Sequence, residues 1–296
     1  MGKKSRRRVK AVKERMPFVS RTFEGLPGEC DWVALREIVP AATALLKVAG
    51  TDRVVRICSL LPGANAGLVR PDGEVWIGLQ VEQNFGDISR DLAHALELGL
   101  EAEPGQPIAM TDPGIGKRLQ DLVAPDATFE VEVHDGFDYW IADVDNTDSA
   151  KTMVEMANRS ISPTVRLAGV EAAYWTHIGA SGASVQGASG QGPSGRRFLR
   201  WVMPHDESTL LNALARLNQG GASALGEGTR LIGSFRAHGL LVPVWELPNT
   251  LEADSLEQPA AEFSTRLGEA LADDSELTSE QRSARNGLAN RQLTIR

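Results

Sequence analysis

Residues 114–119 and 226–231 both read Gly-x-Gly-x-Arg-Leu, and here residue type and spacing first suggest chemistry. Paired glycines permit a tight turn, and a helix opening behind them offers free N–H groups and a positive dipole end to an anion. Gly116 and Arg118 in the first stretch, and Gly228 and Arg230 in the second, are therefore candidate anion or ligand residues. The first stretch is not a Walker phosphate loop. That motif needs a glycine five residues before its Gly-Lys pair and a Ser or Thr after the lysine, places held here by Thr111 and Arg118.

Other chemistries find less support. His94, His134, His177, His205 and His238 form no i, i+4 pair around a carboxylate, so none is assigned to a metal or to acid-base work. Ser184 lies in a Gly/Ser run and lacks the strand-to-helix elbow that exposes a nucleophilic serine. Cys30 and Cys58 make neither a disulfide framework nor a zinc spacing, which fits a reducing cytoplasm. No catalytic residue, cofactor or metal is assigned, and the balance leans away from an enzyme.

The strongest charge signal is Lys3, Lys4, Arg6, Arg7, Arg8, Lys10 and Lys13. Nine of the 31 Lys and Arg residues, and one of the 39 Asp and Glu residues, fall within the first 21 positions, so the remaining chain carries a formal charge of -16. Such an arm is expected to be disordered, because like charges repel and little apolar surface offsets ordering entropy. It suits phosphates, RNA or the ribosome above all, without encoding sequence specificity. A solubilising tail is the plainer reading.

The elements that would position these groups are expected to be used twice, at an offset of 112 residues between the two Gly-x-Gly-x-Arg-Leu stretches. Helices predicted at residues 31–39 and 149–159 are followed by strands at 55–61 and 172–178. Strands bearing Trp76 and Trp201 then lead into amphipathic helices at 87–98 and 206–217, each opening on a capping aspartate, Asp87 or Asp206. Beyond each Gly-x-Gly-x-Arg-Leu a further helix and a strand are expected. The fold predicted is α+β, with two tandem related helix-strand-strand-helix-helix-strand units packed together. The units span residues 23–145 and 146–248, after a basic arm at 1–22. An acidic linker and C-terminal helices occupy residues 249–296.

Local chemistry supplies further expectations. Arg70-Pro71-Asp72-Gly73 should turn a hairpin within residues 68–81, and Asp135-Gly136 a second within 129–142. Residues 179–195, rich in Gly and Ser, read as a loop, more simply a tolerated insertion than a substrate lid. A helix near residues 259–271 should expose Phe263, Leu267 and Leu271, and Thr-Ser-Glu-Gln at 278–281 fits a capping box. Most of the six tryptophans should be core. If the units form a pseudo-twofold pair, Trp76 and Trp201 are the candidates for lining a ligand cleft at the seam. No stretch reaches the apolar length of a membrane span.

The run FEGLPGECDWVALREIVPAATA, with MGKKSRRRVKAVKERMPF at the start and ANRQLTIR at the end, resembles an actinobacterial family of uncharacterised proteins known as a domain of unknown function. The resemblance spans the chain and implies no activity and no site residue. The leading expectation is a noncatalytic cytoplasmic binding or regulatory protein whose basic arm contacts RNA or the ribosome. The alternatives are an enzyme or small-ligand receptor with its site at the seam, and an interaction scaffold presenting the acidic C-terminal region.

Overall fold

The computed structural model describes residues 18–142, 147–179 and 195–290. The arm residues 3–13 and nearly all of the Gly/Ser stretch lie outside these. In chain order the first half comprises helix α1 (Glu29–Glu37), strands β1 (Ala42–Leu46), β2 (Val55–Cys58), β3 (Gly67–Val69) and β4 (Val75–Gly78), helix α2 (Ile88–Glu101), and strands β5 (Pro107–Ile108) and β6 (Val131–Val133). The second half comprises α3 (Asp148–Asn158), β7 (Thr164–Arg166), β8 (Ala173–Ile178), β9 (Arg196–Trp201), α4 (Glu207–Gln219), β10 (Arg230–Ala237) and β11 (Leu240–Leu247), and is followed by α5 (Glu257–Ala272) and α6 (Ser279–Asn290). The fold is α+β.

Each half builds a sheet. The first has the order β5-β3-β4-β2-β1-β6 and is antiparallel except for β2 beside β4; the second, β10-β11-β9-β8-β7, is antiparallel throughout. Side-chain alternation along the strands sorts the interior into three cores. Val55, Ile57, Val75 and Ile77 of the first sheet meet Tyr174, Leu240 and Val242 of the second, and Val202 just after β9, in one core with α1 and α2. Cys58 and Trp76 face the other way, onto Phe137, Trp140 and Val154 of α3. Trp175, Leu199, Trp201 and Trp245 likewise turn outward onto α4, α5 and α6. The layers therefore run α3, sheet, α1 with α2, sheet, α4 with α5 and α6.

Helix α1 is the shared centre. Its six consecutive residues from Cys30 to Leu35 are all buried, as befits a helix with a sheet on either side. Trp32 stacks on Phe129 at 4.2 Å and on Phe23 at 5.7 Å between ring centroids. Asp31, only 3% exposed, accepts from Tyr174 Oη at 2.6 Å and from Arg166 Nη2 at 2.9 Å, tying the helix to the second sheet. An unpaired carboxylate there would be costly, and these two donors offset its desolvation.

The local expectations hold where the chemistry is local. Asp87 and Asp206 accept from Ser89 N and Thr209 N at the starts of α2 and α4. Thr278 and Gln281 exchange backbone and side-chain hydrogen bonds in the capping box before α6. Gly73, at φ 91, closes the β3–β4 hairpin.

Four expectations are corrected. After Arg118 there is a single 3-10 turn, Leu119–Asp121, instead of a helix; Pro125 bars Ala124 from helical geometry, leaving no room for a longer one. After Gly228 there is strand β10, which turns into β11 through His238 (φ 48) and Gly239 (φ 85). Two successive positive φ values match the right-handed twist of a hairpin. Arg118 and Arg230 thus occupy different kinds of element, whereas Trp76 and Trp201 both lie on the strand that precedes an amphipathic helix. Asp135-Gly136 turns no hairpin, since β6 pairs with β1 and the chain continues into the 3-10 turn Asp138–Ile141. Phe263 and Leu267 of α5 are buried against the second sheet rather than exposed, because the outward faces of β9 and β11 need cover.

Candidate functional site

Helix α1 ends at Glu37 because Pro40 follows and Ile38 leaves helical geometry, with φ -131. Its last carbonyls need partners, and each half supplies one. Gln80 Nε2, following β4, donates to Leu35 O and Val39 O, both at 2.8 Å. Arg200 Nη2, from β9, donates to Ile38 O at 3.2 Å and to Thr176 Oγ1 of β8 at 2.7 Å. Beside this junction opens a cavity of about 250 Å³, lined from the first half by Glu37 and Gln80 and from the second by Ser160, Ser162, Ile178 and Arg200.

Arg200 dominates the electrostatics. It is 7% exposed, its Nε is buried without a hydrogen-bond partner, and both of its hydrogen bonds come from Nη2. No carboxylate among the described residues forms an ion pair with it, and burial pulls its guanidinium down to about 10. The α1 dipole contributes at most about 2 kcal/mol to a cation at its C-terminus, whereas burying an unpaired ion costs several kcal/mol. The helix end therefore offsets only part of the cost.

Glu37, the acid of the lining, is committed elsewhere. Its Oε1 lies 2.8 Å from His238 Nε2 and 3.8 Å from Arg36 Nε. The His238 hydrogen bond holds its carboxyl below the usual range. Ser160 Oγ donates to Ala157 O at 2.9 Å, so that hydroxyl is not activated by a base. The arrangement suits polar recognition: a buried cation at the seam, flanked by an amide and serine side chains.

The residues singled out by sequence lie apart from this cavity. Arg118 Nε donates to Asp87 Oδ2 at 2.8 Å and its Nη2 to Thr22 O at 2.7 Å, binding the N-cap of α2 to the segment before α1. Gly116 follows a turn in which Asp112 Oδ1 accepts from Gly114 N at 3.0 Å, and no α-helix opens there to supply a dipole. Gly228, at φ 73, packs where a Cβ would lie 2.9 Å from Pro248 Cγ. Arg230 is exposed and shares Glu246 with Arg196. Trp76 and Trp201 face away from the seam, onto α3 and onto α4 and α5, because their strands present the opposite alternation to α1. Sequence reasoning passed over Arg200. Its one signal was an arginine between Leu199 and Trp201 in a strand otherwise destined for the interior.

Among the described residues, no group of three or more His, Cys, Asp or Glu is placed to hold a metal, and no helix is long and apolar enough to cross a membrane. Fold and cavity together define a two-sheet α+β protein whose halves share one central helix and enclose a polar cleft at its end. The chain belongs to the Family of unknown function (DUF5926), whose model matches residues 22–296. No curated protein and no solved structure matches it.

Proposed function

We propose that this chain is a noncatalytic cytoplasmic binding or regulatory protein that takes a small polar ligand into the cleft between its halves. The observation carrying this reading is that both halves contribute to a cavity of about 250 Å³ around an unpaired buried arginine. Ligand sites favour such seams, where a few convergent polar groups meet a preformed hollow. The test is a thermal-shift screen of small metabolites on the intact protein and on Ser162→Trp, which fills the rim. A true ligand at 100 times its Kd adds about 2.7 kcal/mol and should raise the midpoint of the intact protein only. A ligand that stabilises both proteins equally would place binding elsewhere and end the cleft reading.

A second activity is favoured by the segregation of charge, since nine basic residues and one acid precede position 22 in a chain of net charge -8. The arm, through Lys3 to Lys13, is proposed to contact RNA or the ribosome while the acidic remainder repels phosphate. With about five phosphates engaged, log affinity for single-stranded RNA should fall against log salt with a slope near about -3.5. Removing the first 21 residues should abolish binding, and undiminished affinity after truncation would refute the arm's role.

A further inference from the structure

The chain accommodates its buried and half-buried arginines in several ways, and Arg200 is set apart by lining the cleft. Arg166 pairs with Asp31 at 2.9 Å, Arg118 with Asp87 at 2.8 Å and Arg197 with Glu252 at 2.8 Å. Arg70 has no such acid, but it lies 4.5 Å from the centroid of Trp76 and donates to Trp140 O at 2.8 Å. Arg90, 3% exposed, has neither an acid in an ion pair nor a ring and donates from Nη2 to Phe85 O at 3.2 Å. Arg200 also has neither, and unlike Arg70 and Arg90 it lines the cleft.

We infer that the cleft binds its ligand through an oxyanion, a carboxylate or a phosphate group, engaged by the guanidinium of Arg200. This rests on the cleft being a ligand site. The chemistry follows from the donor inventory: a planar guanidinium recognises oxygens through its fork of N–H donors. With Nη2 taken by Ile38 O and Thr176 Oγ1 and Nε buried, Nη1 is the arm without a hydrogen-bond partner that is left for an incoming oxygen. Gln80 and Thr176 hold the surroundings rigid, the first by clamping the carbonyls of Leu35 in α1 and of Val39 just beyond it, the second by accepting from Nη2. Glu37 does not neutralise the site, because its carboxylate is held by His238. An anion entering the cleft supplies the counter-charge that the protein omits, so binding and stability rise together.

The experiment is a side-chain NMR titration of the full chain, following the Arg200 Nε–H and the Gln80 amide group. The probes are sodium acetate, inorganic phosphate and uncharged acetamide, each matched in ionic strength with sodium chloride. Saturable movement of the Arg200 signal with acetate or phosphate, but not with chloride or acetamide, is the expected result, and the stronger of the two anions identifies the group. Arg200→Lys keeps the charge and loses the fork, and should weaken the affinity at least tenfold; should it fail to fold, the titration of the intact chain decides by itself. Equal movement of Gln80 by acetamide and acetate, with Arg200 unmoved, would overturn the oxyanion inference and leave the cleft reading standing. No response of Arg200 or Gln80 to any probe would overturn both.

Discussion

The two ends of α1 carry buried charges handled in opposite ways. Asp31 is satisfied by Tyr174 and Arg166, whereas Arg200 beside Ile38 has only carbonyl and hydroxyl acceptors. A half-buried ionisable group on the first sheet's side, His134, accounts for one pH response. Its Nε2 lies 2.9 Å from Thr43 Oγ1 and its ring 4.6 Å from that of Tyr139. Desolvation, the largest influence, pushes its pKa below the ordinary value, with Glu132 opposing. In the unfolded chain the imidazole takes up a proton near about pH 6.5, so the stability present above that pH is lost as pH falls through the lower folded value. The urea midpoint should therefore drop between about pH 7.5 and about pH 5.5, and His134→Gln should drop less. An identical pH slope in the variant would remove His134 from the account.

At the scale of elements, two helical glycines predict opposite outcomes. Gly99 packs α2 so closely on the first sheet that a Cβ would lie 2.6 Å from Val75 Cγ1 and 2.8 Å from Ile108 Cδ1. Alanine there gains about 1 kcal/mol of helix propensity but overpacks a filled core, which costs about 1–3 kcal/mol. Gly268 in α5 has nothing within 4 Å of such a Cβ, so Gly268→Ala should stabilise by up to about 1 kcal/mol. Urea unfolding should show Gly99→Ala neutral to less stable than the parent and Gly268→Ala more stable. A clear gain at Gly99 would mean that α2 can lift from β4.

The halves are joined more deeply than two tandem units laid side by side. One core draws on Ile57, Ile77 and Leu96 from the first half and on Tyr174, Leu240 and Val242 from the second, with α1 between them. Separating the halves exposes both sheet faces that enclose that helix. The intact chain should unfold in one transition, with tryptophan fluorescence and far-ultraviolet circular dichroism coinciding. Fragments divided at residue 145 should each lack a cooperative transition. A fragment that unfolds cooperatively by itself would show that the shared core is dispensable, and the cleft at its edge would then be a junction between independent domains.

What the sequence alone determined is what depends on neighbours within a turn or two. Asp87 and Asp206 mark helix starts, Asp72-Gly73 marks a hairpin, and Thr278 with Gln281 marks the last capping box, since each bond closes over a few residues. Tertiary structure decided the remainder. Leu231 and Phe235 are four residues apart, a spacing that suits one face of a helix or of a strand, and only the partner β11 selects the strand. A bulge between Leu231 and Gly233 then sends Leu231 to one core and Phe235 to another. Trp76 and Trp201 were legible as buried, but which way they face depends on which side of each sheet receives α1. Arg200 was unremarkable as a letter. Its significance comes from a helix end that lies 162 residues away in the chain, and from the lack of an acid ion-paired to it among the described residues.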